Sequence, residues 1–105
     1  MTYSLRYTPR ALADMDSVWD GVYEASKSLD VADKYVQEFT TEIVAKKQFP
    51  FLGTPLLYSG LFTGFYSVGY KKYRAFYRVN ANYIEVIRIL LAKSDYLMTI
   101  LQGEV

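Results

Sequence analysis

The chain has 105 residues, among them eleven tyrosines, six phenylalanines and one tryptophan, with 12 Lys+Arg against 11 Asp+Glu and neither cysteine nor histidine. Such a length predicts one small domain, 1–105, that buries somewhat under about 70% of its unfolded surface and leaves little room for an internal cofactor. Without Cys there is no disulfide, thiolate nucleophile or Cys-type zinc site, and without His no Ser-His-Asp triad, imidazole base or His metal ligand, so neither metal nor cofactor is expected.

Residues 3–7, Tyr-Ser-Leu-Arg-Tyr, alternate at period two and predict a short strand. Thr8-Pro9 is a helix start: Thr8 is the N-cap, and Pro9 sits at the first helical position, where its missing N–H costs nothing. Leu12, Met15, Trp19, Val22 and Tyr23 then recur at spacings of three and four, an amphipathic helix to about Ser26 with Asp14, Asp16, Asp20 and Glu24 toward water. After the break at residues 27–30, Ser28 or Asp30 caps a second helix striped with Ala32, Tyr35, Val36, Phe39, Ile43 and Val44, which stops at Pro50. The two helices form an antiparallel hairpin whose apolar face needs a sheet. Residues 49–55, with two prolines and a glycine, read as a shaped loop. Beyond it, 62–68, 73–79 and 83–91 alternate as three strands, separated by turns at 69–72 and 80–82. Ser94 or Asp95 caps a last helical segment over 96–101, ended by Gly103. The order strand, helical hairpin, three-stranded antiparallel meander, short C-terminal helix defines an α+β two-layer sandwich. Along 73–79, Tyr73, Ala75, Tyr77 and Val79 take the core side, and Arg74, Phe76 and Arg78 form a cationic-aromatic outer side.

The charge divides unevenly. Residues 1–60 carry six Lys/Arg against eight Asp/Glu, and residues 61–105 carry six against three, so the sheet half is basic by three charges. A face of that size suits an acidic protein partner better than a large nucleic-acid surface. The start lacks the apolar run of a signal peptide, and the apolar run over 84–92 contains Glu85 and Arg88 and is too short to cross a bilayer. A soluble cytoplasmic protein with no membrane contact is expected.

Thr8-Pro9-Arg10-Ala11, Trp19-Asp20, FPFLGTP at 49–55, FYSVGYKKYRAFYRV at 65–79 and IEVIRILLAKSDY at 84–96 together resemble the RelE/ParE superfamily of toxins from bacterial type II toxin–antitoxin (plasmid stabilisation) systems. The resemblance spans nearly the whole chain and is closer to the ParE branch. It implies a compact α+β toxin neutralised by a cognate antitoxin through an acidic or amphipathic segment. It also implies one of two targets: DNA gyrase, poisoned by binding, for ParE-like members, or mRNA in the ribosomal A site, cut by RelE-like endoribonucleases. An inactive homologue that retains only antitoxin binding is the third reading, and a homodimer is compatible with the pattern.

RNA cleavage needs proton transfer at the 2′-hydroxyl and the leaving oxygen, and cations around the phosphate. By the resemblance Arg74, Lys71, Lys93 and Tyr96 would supply these. The chain departs from the family where Leu91 stands in place of the His of ParE-like and some nuclease members, and Lys93-Ser94 in place of an arginine pair. The strand over 62–68 lacks the lysines that RelE-like nucleases often place there, and with the weak net basicity this favours the ParE-like reading over ribosome-dependent cleavage. For binding a target or an antitoxin, the resemblance and the apolar C-terminal segment point to Arg74, Arg78, Arg88, Leu97, Ile100 and Leu101. The ordinary alternative for Arg74 and Arg78 is a solvated or cross-strand-paired arginine. Arg88, among Ile84, Val86 and Leu90, needs a partner or a surface opening, and one nearby carboxylate would make it structural.

Overall fold

A computed structural model describes residues 2–92 and 99–100 of the chain. The alternating residues at its start form β1 (Ser4–Tyr7), which runs parallel to the last strand, β5 (Tyr83–Leu91), with Leu5 opposite Ile84 and Tyr7 opposite Val86. At Thr8 the chain turns without leaving that ladder. Its N–H donates to the Val86 carbonyl at 3.0 Å, its hydroxyl donates to the Ile87 carbonyl at 2.9 Å, and the same oxygen accepts from the Ala11 N–H at 3.1 Å. One residue therefore ends the strand and caps helix α1 (Pro9–Ser26).

Helix α1 buries Ala11 and Val18 and ends at Lys27, whose φ of 56° returns its N–H to the Tyr23 carbonyl. Ser28, not Asp30, caps α2 (Leu29–Val44), its Oγ accepting from the Val31 N–H at 3.2 Å. Ala32, Phe39 and Ile43 are its buried residues. Trp19 clamps the hairpin: its ring stacks on Tyr23 and its Nε1 donates to the Asp33 carboxylate at 2.8 Å. Leu12 and Val44, placed on the apolar stripes by spacing, are 54% and 42% exposed. The α-helix stops at Val44, earlier than Pro50, and tightens into 3-10 turns at Ala45–Lys47 and Pro50–Leu52.

Residues read as loop continue into a strand, β2 (Thr54–Tyr58), followed by β3 (Leu61–Tyr70), β4 (Tyr73–Val79) and β5. The meander thus has four strands, and the five-stranded sheet has the order β1-β5-β4-β3-β2, antiparallel except at β1. Two prolines nearby and a Thr-Pro-Leu-Leu-Tyr sequence without alternation hid β2, and its position at the sheet edge is what tolerates Pro55. Gly53 lies just before it because a Cβ there would collide with the Tyr77 hydroxyl, which donates to the Pro50 carbonyl at 2.6 Å.

The helical hairpin covers one face of the sheet with Val68, Ala75, Tyr77, Ile84, Val86 and Ile89. A register shift opposite Phe76/Tyr77 inserts one extra residue into β5. Ile84 and Val86 face the helices and Ile87 faces away by plain alternation, and after the bulge the parity reverses, so Ile89 lies under the helices and Leu90 on the other face. The second face is not the open cationic-aromatic surface that alternation implied. Phe76 is 1% exposed, in a second core with Leu56, Phe65, Ile87 and Ile100. Thr99 and Ile100 are helical, and the remainder of the expected C-terminal helix, with its Ser94 or Asp95 cap, lies outside the described residues.

Candidate functional site

Arg74 lies on β4 opposite Gly69 of β3. A Cβ at Gly69 would come within 2.5 Å of Arg74 Nη1, so the missing side chain is what lets the guanidinium lie flat across β3. Its Nε donates to Ser67 Oγ at 3.0 Å, and its Nη2 donates to Thr54 Oγ1 on β2 at 3.3 Å. Both partners are neutral, and among the described residues no carboxylate pairs with it. A guanidinium has five N–H donors in a planar fork, and two held by hydroxyls leave others aimed for a carboxylate or phosphate.

The other two arginines of β4 and β5 are committed. Arg78 meets Glu85, its cross-strand partner on β5, through Nε at 3.0 Å and Nη2 at 2.9 Å, with its side chain 41% exposed. Arg88 reaches Asp14 of α1 through Nε at 2.7 Å and Nη2 at 3.2 Å, with both side chains 17% exposed. Asp14 also accepts the Ile89 N–H at 2.9 Å. Since β1 ends opposite Val86, no strand among the described residues lies beside the rest of the β5 edge, and Thr8, the cap of the first helix, and Asp14 within it bond to Ile87 and Ile89 there. Arg88 is therefore structural, and its reading as a binding residue gives way to this pairing.

Lys71 occupies the β3–β4 turn with φ 52° and leans toward the helices, its Nζ 5.3 Å from the Tyr70 ring centroid and 5.5 Å from that of Tyr35. Arg74, lying over Gly69 with Ser67 and Thr54, is on the opposite face. The four residues proposed for RNA chemistry are thus not gathered among those described: Lys71 and Arg74 are separated by the sheet, and Lys93 and Tyr96 lie outside the described residues. Of the apolar binding residues, Ile100 is buried at 1% exposure in the second core, while Leu97 and Leu101 lie outside the described residues.

Tyr70 donates a hydrogen bond to the Glu38 carboxylate, which with burial pushes its phenol up to about 12. Burial pushes Tyr77 up to about 12 and raises Tyr35 and Tyr7. Phenols shifted upward stay protonated at neutral pH and are not general bases. Among the described residues no three Asp or Glu side chains are grouped to hold a metal, and no helix is long and apolar enough to cross a membrane. Sequence reasoning missed the supports of Arg74, namely Ser67, Thr54 and Gly69. The signal available was a glycine in β3 facing an arginine once the β3–β4 turn is placed at Lys71-Lys72.

The same arrangement of a helical hairpin on a β1-β5-β4-β3-β2 sheet recurs in solved toxin structures. A chain of the chromosomal ParDE toxin–antitoxin system from P. aeruginosa is 23% identical with a TM-score of 0.73, over 88% of this chain and 98% of that one. The E. coli toxin RelE in the free state, an arginine-to-alanine double mutant, is 16% identical with a TM-score of 0.69 over 100% and 99%. A chain of the RelBE2 toxin–antitoxin complex from Mycobacterium tuberculosis is 19% identical with a TM-score of 0.57 over 87% and 99%. These likenesses define the RelE/ParE toxin fold. No curated protein sequence matches the chain. The family model described as the ParE toxin of the type II toxin–antitoxin system, parDE, matches residues 5–96, and the chain belongs to that family. It is a toxin of a type II toxin–antitoxin system in the RelE/ParE superfamily.

Proposed function

We propose that this toxin acts in the ParE manner, by binding and poisoning DNA gyrase, and that a cognate antitoxin neutralises it through an acidic or amphipathic segment. The observation that carries this reading is that Lys71 leans on the Tyr70 and Tyr35 rings on the helix side, whereas Arg74 is held by Ser67 and Thr54 on the other. An endoribonuclease needs proton-transfer groups and phosphate-binding cations converging on one phosphate, and a binding toxin needs only a surface. Membership of the ParE family over residues 5–96 supports the same side. The antitoxin is supported by two fold relatives that come from a ParDE system and a RelBE2 complex. Arg74 is the contact residue of choice, since Arg78 shares its charge with Glu85 and Arg88 is held by Asp14.

The full chain, added in parallel to purified gyrase and to a translating extract, tests this. Supercoiling is expected to be inhibited while mRNA stays intact, and Arg74→Ala is expected to weaken the inhibition or the antitoxin's hold by about tenfold, the scale of one charge-assisted contact. Cleaved mRNA with supercoiling unaffected, and cleavage lost in Arg74→Ala, would make the protein a ribosome-dependent endoribonuclease instead.

A further inference from the structure

The longest uncharged stretch of the chain coincides with its most apolar surface. From Gln48 to Tyr70 there is no Asp, Glu, Lys or Arg, in a sequence where such residues make up 22%. Within it Leu52, Leu57, Tyr58, Leu61 and Phe62 are between 51% and 73% exposed. Leu57 stands opposite Phe62 and Tyr58 opposite Leu61, so the β2–β3 hairpin is apolar on both faces near its tip. The Phe62 ring lies 5.1 Å from that of Tyr66, and Phe51 reaches the same ring at 5.9 Å, which joins Phe51 and Phe62 on one of those faces.

The same stretch contains an open edge. Among the described residues β2 pairs with β3 alone, leaving its outward N–H and C=O groups without a strand partner. Exposed edges are usually blunted by lysine, by an inward charge or by a covering segment, and β2 has only Pro55 and a bulge. The opposite edge, β1, is four residues long and carries Arg6.

We propose that β2 is a self-association edge, where a second copy of this chain pairs antiparallel across a two-fold axis and joins two five-stranded sheets into one. Three observations select a second copy over another partner. An antiparallel pair of like strands satisfies both rows of backbone groups with the same residues. A contact of that symmetry sets every charge near the axis close to its own copy; the Gln48 to Tyr70 stretch has no charge of its own, and Arg74 reaches β2 at Thr54, the start of the strand, three residues from Leu57. A half-exposed Leu, Phe or Tyr contributes on the order of 100 Å², so the six side chains with Phe51 offer about 600 Å², and the paired backbone adds to that toward the roughly 800 Å² a side of a standard interface. The inference is independent of which target the toxin attacks.

The chain has no cysteine, so a single introduced thiol can form a disulfide only with another copy. Leu57→Cys is expected to cross-link on mild oxidation, and Leu29→Cys, 60% exposed on α2, is not. Light scattering on the purified full chain is expected to give twice the 12.1 kDa monomer mass. Leu57→Lys and, separately, Tyr58→Lys are expected to weaken dimerisation at least tenfold with an unchanged circular dichroism spectrum. A folded monomer at tens of micromolar overturns the proposal, as does equal cross-linking at the two thiol positions. It also fails if Leu57→Lys abolishes gyrase or antitoxin binding while the parent chain stays monomeric, since the edge then belongs to another protein.

Discussion

Asp14 receives two hydrogen bonds from Arg88 and one from the Ile89 N–H, in a site where each side chain is 17% exposed. Removing either partner strands a mostly buried charge, and removing Asp14 also strands a backbone donor. Asp14→Ala is expected to cost roughly 2–4 kcal/mol and Arg88→Ala about 1–3, against at most about 1 for Arg78→Ala at its more exposed pair, all read from urea denaturation. At the same scale, Tyr70 and Tyr77 stand at about 12 against 10 in an unfolded chain, one by its bond to Glu38 and the other by burial. Above pH 10 the unfolded state gives up these protons while the native state keeps them, so unfolding releases protons. The stability they contribute is full below pH 10 and declines as pH rises from 10 toward 12. The denaturation midpoint is expected to fall across that window, less steeply in Tyr70→Phe, and phenolate absorbance should show these two rings ionising late. That Arg88 needs a partner was legible in the sequence, because a charge sat among Ile84, Val86 and Leu90. That the partner is Asp14, 74 residues away, was not, since spacing placed Asp14 on the solvent face of its helix.

Elements whose limits are set by neighbouring residues were legible from the chain itself. Thr8-Pro9 marks the start of α1 and a serine marks that of α2, because both caps are local hydrogen bonds. Their energetic weights differ through tertiary contacts. Ser28→Ala removes one cap bond and is expected to cost about 1 kcal/mol, whereas Thr8→Ala also loses the bond to the Ile87 carbonyl and is expected to cost about 2, compared by urea midpoints. Strand β2 was illegible for the converse reason. Its Thr-Pro-Leu-Leu-Tyr sequence carries no period, and what makes it a strand is the backbone of β3 beside it. The β5 bulge is of the same kind: it arises in pairing with β4 and decides that Leu90 faces away from the helices.

At the scale of the molecule the sheet separates two apolar layers, one under the helical hairpin and a smaller one closed by Ile100. Ile100 is far along the chain from Leu56, Phe65, Phe76 and Ile87 and is buried in one cluster with them. Ile100→Ala is expected to cost about 2–4 kcal/mol and lower Tm by roughly 10 °C or more, measured by thermal denaturation, a loss that a rim residue of a binding groove would not give. The basic sheet half divides the same way. Its arginines are paired at Arg78 and Arg88, which leaves Arg74, held by Ser67 and Thr54, as the arginine of β4 and β5 without a carboxylate among the described residues.

By itself the sequence determined the two long helices and every strand except β2, the start of each helix, the division into an acidic helical half and a basic sheet half, and the likeness to RelE/ParE toxins, because each of these depends on local period, local bonds or composition. Tertiary structure alone decided which carboxylate meets Arg88, that Lys71 and Arg74 are held on opposite faces, that Ile100 is core, and that β2 forms an open, uncharged edge. Those outcomes depend on pairing between residues distant in the chain, and on a one-residue bulge that shifts side chains from one face of the sheet to the other.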